Sequence, residues 1–203
     1  MLSRQAVRGF TLVETAVVLV ILGVMLAVAL PQAADWLRGL RVRNAAEGVK
    51  NGLELARMEA LRRNSTVGLW LVSDSSKVPT DNCVLSSTSP AWVVSVADPA
   101  GKCGQEASLT AAPQLVQRSA AQENASNLSV SALDSAGAAA DRVMFNGLGQ
   151  VQPVTGNKSI QTVDVEASAG GGRRLRVVVE SGGAIRMCDR GAASDDPRAC
   201  PAL

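Results

Sequence analysis

The sequence predicts an α+β fold in which one long N-terminal helix packs on a mostly antiparallel β head domain. Three observations predict it: an apolar run near the N-terminus, an amphipathic pattern after it, and short β-rich segments over the rest of the 203 residues. Apolar residues make up 47% of the chain and charged residues 19%, which excludes a mostly disordered protein. The formal net charge of +2 excludes a strongly basic nucleic-acid binder, so any DNA contact must come from a local patch.

The first element is an apolar run from Phe10 to Leu30 that contains one charged residue, Glu14. The run is long enough to cross a bilayer, which takes about 20 residues. An uncleaved signal anchor and a secretory signal peptide cleaved near the end of the run are the ordinary interpretations. The run is longer than the roughly 7–15 apolar residues of a secretory signal. Arg4 and Arg8 precede it and orient the N-terminus toward the cytoplasm and the rest of the chain outward.

Glu14 is the exception within this apolar run. A carboxylate in a bilayer core costs about 2.5–3.5 kcal/mol on insertion scales, and such residues usually have a function. Because Glu14 lies near the end of the run, its side chain could also reach the polar interface. The residue is therefore either a functional charge or one that simply extends to water.

The residues around Glu14 form a motif. The stretch GFTLVE at residues 9–14, preceded by arginines and followed by an apolar helix with Pro31, resembles the type III signal of type IV pilins and pseudopilins. The resemblance implies that a prepilin peptidase cleaves between Gly9 and Phe10 and methylates Phe10, so the apolar helix is retained. It also implies that Glu14 pairs with the N-terminal amine of a neighbouring subunit, which would offset the cost of burying the carboxylate. Glu14 and Pro31 are the residues assigned to assembly.

The apolar run continues into an amphipathic helix. Apolar residues recur at intervals of three or four, the pattern of a helix with one buried face: Val42, Ala45, Val49, Leu53, Ala56 and Ala60. We expect Pro31 to kink this helix and Asn64-Ser65 to end it. The stretch LARMEALRRN at residues 55–64 resembles the GspH/FimT branch of pilin-like proteins, with Met58 where serine is usual.

The resemblance divides the chain into three parts. Residues 1–9 are a leader peptide. Residues 10–64 form the N-terminal helix, with 10–31 in the membrane or the filament core and 32–64 amphipathic. Residues 65–203 form a β-rich periplasmic or extracellular head with a disulfide-tethered tail. At 1.5 Å per residue the helix would be about 80 Å long.

The head is predicted to consist of short strands. Runs of β-branched and apolar residues between turn residues predict strands at 66–72, 91–96, 142–145 and 160–167, and a hairpin at 174–188 with its turn at 181–183. The segment 119–141 is rich in Ala and Ser and has few large apolar residues. We expect it to be a weakly packed excursion.

Four cysteines, Cys83, Cys103, Cys188 and Cys200, lie in the head. The sequence has no C-x-x-C and no histidine, which disfavours a zinc site. A head outside the inner membrane would occupy an oxidising compartment, where disulfides persist. Three pairings are possible, and proximity in sequence favours Cys83 with Cys103 and Cys188 with Cys200.

A cluster of arginines precedes the last two cysteines. The sequence GRRLR at 172–176 partly matches the Gly-Arg-x-Arg motif through which some FimT-like minor pilins bind DNA. Neither register fits fully, because the glycine is one residue out of place in one register and Leu175 replaces the second arginine in the other. In a strand, Arg174 and Arg176 would project from one face and could meet consecutive phosphates. The alternative is a solvated strand face that discourages edge pairing. Arg173, Arg174 and Arg176 are the candidate DNA-contacting residues.

The sequence favours a structural role over a catalytic one. Histidine is absent, which removes the commonest general base and excludes a Ser-His-Asp triad. We expect no catalytic residue, no metal site and no cofactor. The resemblance implies a single-pass protein of the inner membrane whose partners are the prepilin peptidase and other major and minor pilins or pseudopilins in a filament. Three functions stay open: a minor pilin that initiates or caps type IV pilus assembly, a type II secretion pseudopilin for protein export, and a DNA-binding minor pilin for natural transformation.

Overall fold

The structure is a computed structural model that describes residues 11–74, 76, 78–119, 127–154, 159–170 and 172–201. Within those ranges the chain contains one α-helix and ten β-strands. It divides into two compact units, Met1–Leu37 and Arg38–Leu203. The division falls inside the helix, so its second half belongs to the same unit as the strands.

The helix α1 (Leu12–Arg63) ends where the sequence predicts. Asn64, the next residue, has a φ of 48°, a left-handed conformation that asparagine tolerates better than most residues. The Ser65 N–H donates to the Ala60 carbonyl (3.2 Å) and the Asn64 N–H donates to the Leu61 carbonyl (3.3 Å). These two bonds form a Schellman motif, which satisfies carbonyls that the helix end would otherwise leave unpaired.

The strands form two antiparallel sheets. The first sheet has the order β4-β3-β1-β6-β7, with β2 also paired to β1, and consists of β1 (Val67–Ser73), β2 (Val84–Leu85), β3 (Trp92–Ser95), β4 (Leu115–Arg118), β6 (Arg142–Phe145) and β7 (Val151–Gln152). The second sheet has the order β10-β9-β8-β5 and consists of β5 (Leu128–Leu133), β8 (Thr162–Ala167), β9 (Leu175–Val179) and β10 (Ile185–Asp189).

One hydrophobic core joins the second half of α1 to both sheets. The six apolar residues of the predicted helical stripe are all buried, so the amphipathic pattern is confirmed. Phe145 is the largest fully buried side chain, and leucines, an isoleucine and valines are the next largest. This is the core that a chain with two phenylalanines and no tyrosine can build.

A second, smaller cluster consists of buried residues of the first sheet and of the loops around it: Val72, Cys83, Val93, Cys103 and Leu115. The strand β1 is buried along six of its seven residues, because the core covers one face of it and this cluster contributes to the other. A disulfide joins Cys83 to Cys103 inside the cluster.

The predicted fold class agrees with the structure, but one segment was misread. The Ala/Ser-rich segment 119–141 contains β5, which pairs along its whole length with β8. Its inward residues Val130 and Ala132 are buried in the core. The prediction of a weakly packed excursion is therefore wrong for residues 128–133.

Candidate functional site

The segment around the predicted cleavage point is only partly described. Gly9 and Phe10 lie outside the described residues. Glu14 lies in the first turn of α1, and its N–H donates to the Thr11 hydroxyl (3.2 Å). Thr11 is thus the N-cap and Glu14 the third helical residue, a Ser/Thr-x-x-Glu spacing common at helix starts. A negative charge at this position is also favoured by the helix dipole.

The apolar half of α1 exposes its side chains on every side. Over the part of the chain that the structure describes, α1 is the one helix long and apolar enough to cross a membrane, and none of its most apolar stretch is buried within the chain. The exposed fraction is 85% for Leu12, 69% for Leu19 and 65% for Leu30. A helix with apolar residues all round needs lipid or other helices to cover it. Pro31 lies within α1, and its side chain is outside the described set.

Among the predicted DNA-contacting residues, Arg176 is engaged inside the chain. Arg176 on β9 lies directly opposite Asp164 on β8. Its guanidinium donates two hydrogen bonds to the Asp164 carboxylate (2.6 and 2.8 Å), and these bonds raise the Arg176 pKa. Arg190 contacts the same carboxylate (3.0 Å). Only 18% of the Arg176 side chain is exposed, so it is a structural cation rather than a free one.

The other two candidates differ from Arg176 and from each other. Arg173 forms a longer ion pair with Asp189 (3.6 Å), with 40% of its side chain exposed. Arg174 precedes β9, is exposed, and accepts a backbone hydrogen bond from the Arg190 N–H (2.7 Å). Within the described ranges no carboxylate lies within ion-pair distance of Arg174. Arg174 and Arg176 therefore have different surroundings, because Asp164 binds Arg176.

The C-terminal tail is fixed beside this cluster. A disulfide joins Cys188 on β10 to Cys200, so the two bonds in the structure are those that proximity in sequence favoured. The Asp189 N–H donates to the Arg198 carbonyl (2.7 Å), which pairs the tail with the end of β10. Arg198 in turn forms an ion pair with Asp196 (2.6 Å), and its hydrogen bond lowers the pKa of Asp196 to about 2.

Nothing in the described residues resembles a reaction centre. No group of three or more His, Cys, Asp or Glu residues in those ranges is arranged to hold a metal ion. The buried acids Glu59 and Asp164 are each paired with arginines. The third buried acid in those ranges, Asp134, accepts backbone hydrogen bonds from the N–H groups of Ala136 and Ala138 (both 2.8 Å).

Two contacts that organise the head were not predicted from the sequence. Gly52 of α1 lies against Trp92 of β3, and a Cβ at Gly52 would lie 2.7 Å from the indole ring. A glycine in the interior of an amphipathic helix, where it weakens the helix unless a neighbour uses the space, is the signal that could have found this contact. Asp164 was not singled out either. Its outward position in β8, between apolar inward residues, is the available signal.

Comparison with known proteins gives the family. Residues 45–183 match the family "Type II transport protein GspH", which is more than half of the chain. Residues 4–30 match the prokaryotic N-terminal methylation motif, the segment that contains the predicted cleavage point.

Individual relatives cover less of the sequence or differ more. The pilin-like protein PilA1 of Thermus thermophilus is 41% identical over 69 residues, which are 34% of this chain and 43% of that protein. The type IV minor pilin FimU of Pseudomonas aeruginosa has a TM-score of 0.44 at 15% identity, over 72% of this chain and 87% of FimU. The minor pseudopilin EpsH from the type 2 secretion system of Vibrio cholerae has a TM-score of 0.45 at 14% identity, over 75% and 99%.

The two matched segments together run from the basic N-terminus through the helix to the hairpin of β9 and β10. They agree with the resemblance found in the sequence at both the GFTLVE stretch and the second half of α1. The chain belongs to the GspH family of the type IV pilin and pseudopilin superfamily.

Proposed function

We propose that this protein is a minor pilin that takes part in initiating or capping type IV pilus assembly. The observation that carries the proposal is the apolar half of α1, which is exposed on all sides and lies within the stretch that matches the methylation motif, residues 4–30. The bilayer covers that segment before assembly, and the apolar segments of neighbouring subunits cover it in the filament. The head stays outside the inner membrane, in the periplasm.

Processing is the first step. The prepilin peptidase cleaves between Gly9 and Phe10, and the amine of Phe10 is methylated. Glu14 then pairs with the N-terminal amine of a neighbouring subunit. No Lys or Arg lies between Glu14 and Arg38, so within the apolar segment the cations on offer to Glu14 are N-terminal amines. An ammonium in contact with the carboxylate offsets the cost of removing both charges from water.

Replacement of Glu14 tests the assembly step. The Glu14→Ala variant is expected to be cleaved normally and to enter filaments at a small fraction of the wild-type level. Intact-mass measurement reports cleavage and methylation, and immunoblotting of sheared surface filaments reports incorporation. Glu14→Asp, which keeps the charge and the helix-start position, is the matched control and should retain part of the incorporation. Normal incorporation of Glu14→Ala would contradict the proposed pairing.

The system in which the protein works is tested by a clean deletion with complementation. Loss of surface pili with normal export of folded enzymes supports a pilus-priming subunit. Normal piliation with an export defect supports the alternative, a minor pseudopilin of type II secretion. The matching family is described as "Type II transport protein GspH", so the deletion is the experiment that decides between the two systems.

A DNA contact for natural transformation is the second candidate, and the exposed guanidinium of Arg174 favours it. Arg174→Ala is expected to weaken binding of duplex DNA several-fold, since one phosphate contact is lost. Arg176→Ala is the informative comparison, because Arg176 is bound to Asp164. We expect it to lower the thermal stability of the head without a separate effect on DNA. Unchanged DNA affinity in Arg174→Ala would remove this candidate.

A further inference from the structure

Arginines surround residues 38–43 of α1, the part of the helix with which the Arg38–Leu203 unit begins. Arg38 and Arg41 line a groove of about 500 Å³. The groove is also lined by Leu128, the first residue of β5, and by Ala167, the last residue of β8. On another side of the helix, Arg43 lines a second groove of about 330 Å³. Both grooves lie within the Arg38–Leu203 unit and are lined by residues near its start.

The second groove brings distant arginines to the helix. It is lined by Arg43, Arg173 and Arg198, by the carboxylate residue Asp189, and by less polar residues of β9, β10 and the tail. The turn before β9 is close to the helix here, because a Cβ at Gly172 would lie 3.9 Å from the Gly39 nitrogen. Cations from three separate parts of the chain therefore meet around residues 38–43.

These arginines are only partly neutralised. Arg43 pairs with Glu47 (2.7 Å) with 53% of its side chain exposed, and Arg173 pairs with Asp189 at 3.6 Å with 40% exposed. Arg41 is exposed, and no carboxylate in the described ranges lies within ion-pair distance of it. Exposed pairs of this kind contribute little to stability, so their guanidinium groups remain available to an added anion.

The position of these residues in the chain indicates the anion. Seven residues lie between Leu30, the last residue of the apolar run, and Arg38, so these arginines closely follow the apolar segment in the sequence. Side chains of a helix lean toward its N-terminus, and long basic side chains extend toward a bilayer interface. Trp36, exposed over 65% of its surface, is the residue type that marks that interface.

The charge distribution adds a second argument. Arg38, Arg41 and Arg43 follow the apolar run closely, on the side that is exported, whereas two arginines precede it. Basic residues close to a membrane span disfavour export of the flank that carries them. Three arginines on the exported side therefore make insertion of the apolar segment less favourable. A contact between these arginines and anionic groups, made after insertion, would offset that cost.

We propose that Arg41, Arg43 and Arg173 bind the phosphate groups of anionic phospholipids in the leaflet from which the apolar segment emerges. The inference rests on the proposed function in one respect, the insertion of that segment into a bilayer. Covalent attachment to the anchor holds the site at a high effective concentration of headgroups. Even weak binding then keeps the head against the membrane and limits its orientation until the subunit is extracted into the filament.

The experiment uses the full-length chain, purified in detergent from cells that contain the prepilin peptidase. Native mass spectrometry counts bound phosphatidylglycerol and phosphatidylcholine with identical acyl chains. The intact mass in the same spectra reports whether residues 1–9 have been removed and Phe10 methylated, so a failure of the proposed processing is read separately from a failure of lipid binding.

The wild type is expected to bind phosphatidylglycerol in preference to phosphatidylcholine, and Arg41→Gln/Arg43→Gln is expected to lose that preference. About fivefold per arginine is the size of effect for a basic residue near an anionic membrane surface, so the double variant should weaken phosphatidylglycerol binding at least tenfold. Lys102→Gln/Arg186→Gln is the matched control, because it also removes one exposed cation and one that is paired with a carboxylate. The control should bind like the wild type.

Three results would overturn the proposal. The first is equal binding of the two lipids by the wild type. The second is an equal loss of binding in the control variant, which would show only a general effect of charge. The third is obtained with a 20-base-pair DNA duplex in place of lipid. If the helix variant loses affinity for the duplex while its lipid preference is unchanged, the arginines serve a nucleic acid instead.

Discussion

The two halves of α1 have the same secondary structure and opposite surroundings. Residues 12–30 carry apolar side chains on every face, and all those described are exposed within the chain. Residues 42–60 carry one apolar stripe, and that stripe is buried under the two sheets. On the proposed function, lipid or neighbouring subunits cover the first half, whereas the head of its own chain covers the second half.

The same difference holds for charge. Glu59, in the second half, has its cations within one turn: Arg62 and Arg63 both donate hydrogen bonds to its carboxylate. Glu14, in the first half, has no basic residue after it before Arg38. A buried carboxylate without a local cation is stable only when another molecule provides one. The three predictions that follow test this contrast, beginning with the largest effect.

Truncation of a leucine should have different consequences in the two halves. Leu53 is fully buried, whereas Leu19 is 69% exposed. Leu53→Ala is expected to lower the free energy of unfolding of the head by about 2–5 kcal/mol, because a cavity remains in the core. Leu19→Ala should change it by less than about 0.5 kcal/mol. Urea denaturation of the full chain in mild detergent measures both, and equal losses would contradict the division of the helix.

Glycine replacement should separate a packed position from an open one. A Cβ at Gly52 would lie 2.7 Å from ring carbons of Trp92 and 2.8 Å from Leu69, whereas one at Gly39 would meet nothing within 4 Å. In Gly52→Ala the overpacking, about 1–3 kcal/mol, should exceed the helix-propensity gain of about 1 kcal/mol, so its melting temperature should fall. Gly39→Ala should raise it slightly. A stabilised Gly52→Ala variant would show that Trp92 can move away freely.

Glu59 should give the second half of α1 a measurable acid dependence. Hydrogen bonds from Arg62 and then Arg63 lower the pKa of Glu59 from 4.5 to about 2 despite its burial. Because the folded pKa is the lower one, this contribution to stability is complete above about pH 4.5 and is lost as the pH falls toward 2. Glu59→Gln should therefore be less stable than wild type at pH 7, on the order of 1 kcal/mol, with a difference that shrinks through this window. A constant difference would exclude ionisation as the cause.

Much of the fold was predictable because it follows from local patterns. The 3–4 spacing from Val42 to Ala60 predicted the buried stripe, and Asn64-Ser65 predicted the helix end. Alternating β-branched residues predicted β1, β3, β6 and β8, and Gly182-Gly183 predicted the hairpin between β9 and β10. The strands β2, β4, β5 and β7 were not predicted. Three of them have four residues or fewer, and β5 consists partly of small residues whose burial depends on what covers them.

The residues of the candidate site could be predicted from the sequence, but the contacts that they make within the fold could not. The methylation motif and the four cysteines were identified from spacing and residue type. The role of Arg176 was not, because its partner Asp164 is twelve residues away in sequence and becomes its neighbour only through the pairing of β8 with β9. Arg173 and Arg198 are likewise far from Arg43 in sequence. They line the same groove only because the turn at Gly172 and the tail lie close to the helix.

The sequence by itself determined the elements whose cause is local: a helix with an apolar first half and a striped second half, and its end at Asn64. Hydrophobic spacing and backbone preference act between residues a few positions apart, so they can be read from the chain. Tertiary structure alone decided the order of the sheets, the packing of Trp92 against Gly52 and the pairing of Arg176 with Asp164. Those depend on distances between residues far apart in sequence, which no local pattern encodes.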